Sequence, residues 1–495
     1  MTERRGRPNA PTDLSLFRHR VRALVKRRLV TCPAATPAVD VARALSGAGV
    51  GSVVVLGDDG APLGIVTDRD LRTKVVAEAR DPRTVDAAAI MSAPLVTIRP
   101  SAFAFEAILE MTRRHIRHLV VVEDGRAVGV VSSRDIMLLH TTHPVTVARE
   151  IDRAPSLDAL GALASRVTDL ARALVEEGAT AYDVGQLVAE LNDRLVRRVL
   201  GLALAGLEDA GETPPVPFCW LLFGSEARRE QTLRTDQDNG IVYADGDREL
   251  GERSDAFFRR LAEEAVRGLI RVGFPPCPGG AMASNPRWCR PLADWTGYFR
   301  DWMTARSPDS VLQASIYFDL RPLTGAAELA AALTALVRTE APTHRRLLET
   351  VASDVVGRAV PLTLLGNVRV PGRGAHPGAV DIKGAGSLQL VGAARLFALE
   401  LGLAETNTVD RFRAAAARGV AIGTAVDEAT DAFQHLLLLR LRHQLAQLAR
   451  GAPPDNLVTP DTLSHADGVL FRDALHTVRR VQASIRQRFA TDFIP

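Results

Sequence analysis

Between Phe218 and Tyr243 the chain reads FCWLLFGSEARREQTLRTDQDNGIVY, and no other stretch restricts the fold as much. Phe218 to Phe223 is an uninterrupted apolar run, which reads as a buried strand. Gly224-Ser225 follows with no bulk, so backbone N–H groups and a hydroxyl can approach a phosphate. After a ten-residue gap Asp236 and Asp238 flank Gln237, and Ile241-Val242-Tyr243 predicts a second strand. Alternate strand residues share a face, so the two carboxylates aim at one point. That is the ligand set of a Mg²⁺ site, which takes one or two carboxylates and completes its shell with phosphate oxygens and water. Arg228 and Arg229 are placed to neutralise a triphosphate. A lone D-x-D is more often a solvated turn. Strand, Gly-Ser, gap, D-x-D and second strand in that order favour catalytic ancestry.

The stretch resembles the nucleotidyltransferase superfamily, whose pattern is an apolar strand, G-[GS], a gap and D-x-[DE]. Within it, GSEARREQTLRTDQDN is similar to the N-terminal domain of protein-PII uridylyltransferases. It is closer still to uncharacterised bacterial proteins that join this domain to CBS domains. The resemblance implies donor-nucleotide contacts from Gly224, Ser225, Arg228 and Glu230, and metal binding by Asp236 and Asp238.

An internal repeat occupies the N-terminal third. One copy runs Ser52 to Leu56, a Gly-Asp-Asp-Gly turn, then Gly64 to Leu71. The other runs Leu119 to Val122, an Asp-Gly turn, then Gly129 to Ile136. Each reads as strand, tight turn, strand and helix start, behind a helix-period segment at Val39 to Ala48 or Phe105 to His115. Two like units bury a shared face. The pattern resembles a tandem CBS pair, or Bateman module, with Gly64, Thr67 and Asp70 matched by Gly129, Ser132 and Asp135. The resemblance implies that each Asp takes ribose hydroxyls of an adenine nucleotide and each hydroxyl residue a phosphate. The plainer reading makes Thr67 and Ser132 helix N-caps, with both Asp complementing the dipole.

Residues 1–15 read as a disordered tail, 16–145 as the CBS pair and 146–155 as a linker marked by His143-Pro144 and Ala154-Pro155. Residues 156–325 read as the nucleotidyltransferase domain, opening with amphipathic helices to Ala210 that pack the core. Residues 274–295 contain too much Pro and Gly for a regular element, yet carry Asn285, Arg287, Trp288 and Arg290. The related proteins carry a similar stretch, which implies a ligand-binding loop with Arg287 at the donor. Leu312 to Leu320 reads as a further strand. Asp319 in it resembles the superfamily's third carboxylate, with Arg321 as its partner or a phosphate contact. Residues 326–495 read as a helical domain, and Ser387 to Leu399 resembles the start of the family's helical partner domain. Lys383, one of few lysines, sits in a Gly-rich loop within reach of a triphosphate, although solvent is the commoner fate of a lysine.

The expected fold is α/β plus α: a CBS pair, a mixed-sheet nucleotidyltransferase domain and a helical domain. Basic and acidic residues nearly balance, 61 against 58, which gives no case for nucleic acid or an anionic membrane as partner. No apolar run approaches the ~20 residues of a membrane span. The four cysteines form no C-x-x-C pair, and a cytoplasmic protein with reduced thiols is expected. The implied activity is transfer of UMP or AMP from UTP or ATP to an acceptor hydroxyl, on a PII-like regulatory protein. Two Mg²⁺ ions would be held by Asp236, Asp238 and Asp319. No H-D phosphohydrolase motif or ACT domain follows, so glutamine-responsive reversal is not implied, and adenine nucleotide at the CBS pair replaces that input. A homodimer through the CBS pairs is expected. The alternatives are an inactive CBS sensor on a transferase scaffold and, less favoured, a small-molecule nucleotidyltransferase.

Overall fold

The computed structural model describes residues 20–25, 29–137, 144–233, 236–304, 308–372 and 376–491. The tail expected at 1–15 and His143 lie outside them. The chain divides into two compact units, Met1–Arg149 with Glu176–Gly178, and Glu150–Val175 with Ala179–Pro495.

The first unit contains the repeat. Thr31–Pro33 pairs parallel with Ser52–Leu56, which pairs antiparallel with Pro62–Thr67. Thr97–Ile98, His118–Glu123 and Arg126–Ser132 repeat that order. The registers match: Val54 faces Ile65 and Val120 faces Val130. Each hairpin turns at a glycine with positive φ, Gly60 at 78° and Gly125 at 76°. Helices Ala38–Ala48 and Ala104–Arg113 lie at the two places their periodicity predicts. Val53, Val55 and Val66 form one repeat's core with Val41 and Leu45 of its helix. Residues expected as a linker are instead a helix, Pro144–Arg153, because Pro144 occupies a helix start, where its missing N–H costs nothing.

In the second unit, helices α1 (Leu157–Glu176) and α2 (Ala181–Asp209) precede strand β1 (Phe218–Phe223) and the short helix α3 (Gly224–Arg228). Strand β2 (Asn239–Tyr243), helix α4 (Arg248–Val272), strand β3 (Cys289–Pro291), helices α5 (Leu292–Thr304) and α6 (Pro308–Tyr317), and strand β4 (Leu320–Gly325) follow. The mixed sheet has the order β4-β1-β2-β3, with only β2 and β3 parallel. Helices α7 (Ala327–Glu340), α8 (Arg345–Gly357), α9 (Leu388–Leu401), α10 (Thr408–Ala417), α11 (Val426–Ala449) and α12 (His465–Phe489) complete the unit. The apolar core is continuous across residue 325. One apolar core runs from Leu221 and Phe223 of the sheet to Leu390, Phe397 and Phe471 of the helices.

Two sequence expectations fail here for identifiable reasons. Residues 274–295 do contain regular structure: a 3₁₀ turn over Pro286–Trp288, then β3 and the start of α5. Its Pro and Gly cluster between Pro275 and Gly280, and the Cys-Arg-Pro at 289–291 adds an edge strand. The strand expected at Leu312 to Leu320 is mostly α6, and Asp319 lies in the turn between α6 and β4. A short apolar run cannot by itself separate a buried helix from a strand.

Candidate active site and nucleotide site

Asp236 and Asp238 lie in an extended segment that leads into β2 rather than on the strand itself. The strand alternation nevertheless holds. The intervening residues Gln237 and Asn239 are buried, while Asp236 is exposed and Asp238 half-buried. The buried pair grips the loop opposite. Gln237 donates from its backbone to Pro275 at 3.0 Å and from its side chain to the Phe274 carbonyl at 3.1 Å. Asn239 donates to the Ala281 carbonyl at 3.0 Å and accepts from the Ala283 N–H at 2.9 Å. These bonds fix the loop and leave both carboxylates on the other face.

The same loop brings in Cys277, whose thiol donates to the Asp238 carboxylate. Burial raises Asp238 to about 6; the thiol bond opposes this, and the charge of Asp236 adds to it. Gly224, with φ at 55°, lies under the pair, and a Cβ there would come within 3.0 Å of Asp238 Oδ2. Only glycine combines that φ with that clearance. The Gly224 N–H is not free for phosphate, because it donates to the Asp319 carbonyl at 3.1 Å. Ser225 stands half-buried beside it.

Lys383, at the start of a π-helical turn, Lys383–Ser387, that leads into α9, lies within electrostatic range of the pair. Burial lowers its proton affinity and the charge of Arg440 lowers it further, while Asp236 and Asp238 pull the other way.

Asp319 does not join the carboxylates as expected. It is fully buried, with Arg228 Nη1 and Arg395 Nη2 each 2.7 Å from Oδ2 and Arg411 Nη2 2.7 Å from Oδ1. Burial alone would raise Asp319, but the charges of Arg395, Arg411 and Arg228 outweigh it and hold the group well below the usual carboxylate range. Three guanidinium groups on its oxygens make it an internal counter-ion. The expectation for Arg228 and Glu230 changes with it. Arg228 Nε donates to Glu230 Oε2 at 2.7 Å, and Glu230 Oε1 accepts the Thr408 N–H at 2.6 Å. Both are structural partners across the sheet–helix boundary rather than open triphosphate contacts. Arg229 lies 3.6 Å from Glu190 and from Asp193 of α2, and Arg321 pairs with Asp193 at 2.8 Å rather than with Asp319.

Of the loop residues, Trp288 is buried, donates to the Gly280 carbonyl at 3.0 Å and stacks near Tyr317, with ring centroids 4.2 Å apart. Asn285 caps the turn by accepting the Arg287 N–H at 3.1 Å. Arg287 itself is exposed, its guanidinium over the Trp288 ring at 4.7 Å.

In the first unit the two CBS positions differ. Asp70 accepts from the Thr67 N–H at 2.9 Å and hydroxyl at 2.6 Å, from Ser92 at 3.1 Å, and pairs with Lys74 at 2.9 Å. Thr67 in turn caps the helix Asp68–Leu71, which is the plainer of the two sequence readings. Asp135 accepts on Oδ2 from the Ser132 N–H and hydroxyl. Among the described residues nothing donates to its Oδ1.

Among the described residues no group of three or more His, Cys, Asp or Glu side chains is gathered for a metal, and no helix is long and apolar enough to cross a membrane. Asp236 and Asp238 fit one divalent ion completed by phosphate and water. A second ion through Asp319 does not fit.

Three family models match parts of the chain. Residues 165–309 match the model described as "Putative nucleotidyltransferase DUF294", and residues 345–489 its "Putative nucleotidyltransferase substrate binding domain". Residues 21–77 and 87–150 match the CBS domain. The chain is a CBS-domain protein, and its remainder matches the DUF294 model and the model of its partner domain. The chain is 33% identical over 131 residues to "Uncharacterized protein MK0525" of Methanopyrus kandleri, covering 26% of this chain and 67% of that one. It is 30% identical over 102 residues to the mitochondrial CBS domain-containing protein CBSX3 of Arabidopsis thaliana, over 20% of this chain and 50% of that one. It thus spans half to two thirds of the length of these two relatives. Among solved structures, the CBS domain protein PAE2072 from Pyrobaculum aerophilum, complexed with AMP, is 33% identical with a TM-score of 0.23. That match covers 24% of this chain and 89% of that one.

Four functional groups escape the sequence reading. Gln237 and Asn239 make the D-x-D run polar on both faces, and that pattern was the available sign that its back face binds a loop. Cys277 and Arg440 carry no local signal, because only the fold brings them to the carboxylates.

Proposed function

We propose that the protein is a Mg²⁺-dependent nucleotidyltransferase that moves UMP or AMP from a nucleoside triphosphate to an acceptor hydroxyl. The observation that carries this reading is the Asp236–Asp238 pair, aimed off one face of a rigid segment and within electrostatic range of Lys383. Asp236 and Asp238 would hold one divalent ion. When bound, it supplies charge neutralisation at the phosphates of the donor. Gly224 gives Asp238 the space to turn toward the ligand, and Cys277 orients its carboxylate. Ser225 and Lys383 contact the triphosphate, and Arg287 meets the donor at the loop. The chemistry is then mainly positioning and charge neutralisation around an in-line displacement of pyrophosphate.

The acceptor is read as a PII-like regulatory protein, on the resemblance to protein-PII uridylyltransferases. The CBS pair is read as the regulatory input, taking an adenine nucleotide through Ser132 and Asp135, and as the contact of a cytoplasmic homodimer. Incubation of the protein with labelled UTP or ATP, Mg²⁺ and lysate of its own organism tests the activity. A labelled product that is absent with Asp236→Asn and Asp238→Asn is expected.

A second reading, a CBS sensor on an inactive transferase scaffold, is favoured by one observation: the third carboxylate is sequestered by three arginines. Triphosphate binding with no labelled product under any acceptor supply would support the scaffold.

A further inference from the structure

Arg440 on α11 is 9% exposed, yet among the described residues its guanidinium forms no ion pair. Its one hydrogen bond runs from Nε to Asn456 Oδ1 at 2.6 Å. A buried cation is costly without a counter-charge. Asn456 explains why the chain keeps it there. The same Oδ1 accepts from Gln444 Nε2 at 3.3 Å, and Gln444 Oε1 accepts the Thr232 hydroxyl at 2.7 Å, four residues ahead of Asp236. The Asn456 backbone carbonyl accepts the N–H of Ile382, next to Lys383, at 2.9 Å. One asparagine therefore locks Arg440, the approach to the D-x-D segment and the base of Lys383 together.

The electrostatics agree with that placement. Burial brings Arg440 down to about 10, with Asp236 and then Asp381 acting against it. Lys383 is within range of Arg440 and of both site carboxylates. Two carboxylates and two cations thus lie within electrostatic range of one another. A polyphosphate with its divalent ion has this same division, the ion toward the carboxylates and the outer phosphates toward the cations.

We propose that Arg440, held by Asn456, binds the β- and γ-phosphates of the donor together with Lys383, and so receives the pyrophosphate leaving group. This rests on the nucleotidyltransferase reading. In the transfer, the acceptor oxygen bonds to the α-phosphorus and the bond from that phosphorus to the α–β bridging oxygen breaks. The electron pair leaves on pyrophosphate and the hydroxyl proton passes to solvent. Arg440 carries the charge that develops on the departing group.

The test is calorimetry on the full chain with inorganic pyrophosphate and with UTP, each with Mg²⁺, for wild type, Arg440→Gln and Arg440→Lys. Arg440→Gln should weaken both ligands by about 10- to 100-fold, the value of one or two charged hydrogen bonds. Arg440→Lys should fall between, and UMP should bind all three proteins alike. Unliganded Arg440→Gln should melt no lower than wild type, because it removes an uncompensated buried charge. A wild type that binds neither pyrophosphate nor UTP overturns the nucleotidyltransferase reading and this assignment together. Wild-type binding that is unchanged in Arg440→Gln overturns only the assignment of Arg440. An Arg440→Gln protein that melts lower or fails to fold makes the guanidinium a structural group and also overturns it.

Discussion

Arg395 Nη2 lies 2.7 Å from Asp319 Oδ2, joining a helix of the C-terminal part to the turn that opens β4, with the carboxylate fully buried. Arg411 and Arg228 hold the same carboxylate, each at 2.7 Å. The charges are not independent: removing the one acid strands three bases.

Asp319→Asn should therefore destabilise the second unit by about 3–5 kcal/mol, the usual result of breaking a buried pair. Urea denaturation checks this. The pH dependence has a definite sign. The folded-state pKa is depressed below the unfolded one, so the contribution is complete above the unfolded carboxylate range near ~3.9 and is lost as pH falls toward the folded value. Acid unfolding of Asp319→Asn should show a shallower slope below about pH 4 than wild type. Equal slopes would mean that the three arginines do not depend on Asp319.

Asp238 shifts the other way. Burial, then Asp236 against the thiol bond, raises it to about 6, so in the metal-free protein it is protonated below that pH and ionised above it. A metal needs the ionised form. Mg²⁺ affinity should be flat above about pH 7 and fall by up to about 10-fold per pH unit below about 6. Titration of Mg²⁺ by calorimetry between pH 5 and 8 reads this, and Asp236→Asn should move the break to lower pH. A pH-independent affinity would remove Asp238 from the metal site.

Much of this site was legible before any coordinates. The alternation of Asp236 and Asp238 against Gln237, the glycine beneath them and the two matched CBS hairpins all follow from local pattern. Asp319 was not legible, because an apolar run ending in Asp reads alike as strand or helix. Its partners Arg395 and Arg411 lie more than 70 residues away in the chain. Arg228 and Glu230 sit inside the motif yet turn away from the ligand, since a buried acid drew them inward. Local pattern fixes which side chains share a face. Which charges meet is decided by long-range packing.

Cys277 offers a chemical probe of the same place. Cys32, Cys219 and Cys289 are buried, whereas Cys277 is half-buried. A maleimide should label Cys277 first, and Mg²⁺ with UTP should slow that labelling several-fold without changing the other three. Peptide mass spectrometry gives the order. Labelling of Cys277 at the same rate with and without UTP would place the donor elsewhere.

The two CBS positions should respond unequally to substitution. Asp70 is engaged by Thr67, Ser92 and Lys74, whereas Oδ1 of Asp135 accepts from none of the described residues. Asp135→Ala should weaken AMP binding by about 10-fold, the worth of one or two hydrogen bonds to a charged group. Asp70→Ala should act less on AMP and more on the melting temperature. Equal losses of affinity would show that Lys74 yields to the ligand.

The last expectation links regulation to catalysis. The segment between the CBS pair and the transferase is a helix, Pro144–Arg153, and helical connections are stiff where glycine-rich ones are not. We expect adenine nucleotide at the CBS pair to alter donor binding, by a coupling of about 1–3 kcal/mol, or roughly 5- to 150-fold. Linkage is reciprocal, so donor with Mg²⁺ must change AMP affinity by the same factor. The acceptor need not be known. AMP affinity is measured with and without a non-hydrolysable UTP analogue, in wild type and in Asp236→Asn, which should lose the effect. Substituting two glycines into the helix, at the half-buried Thr146 and the exposed Glu150, should reduce the coupling while each ligand still binds alone. AMP affinity that is the same in every case would mean that sensor and transferase share a chain without sharing a free energy.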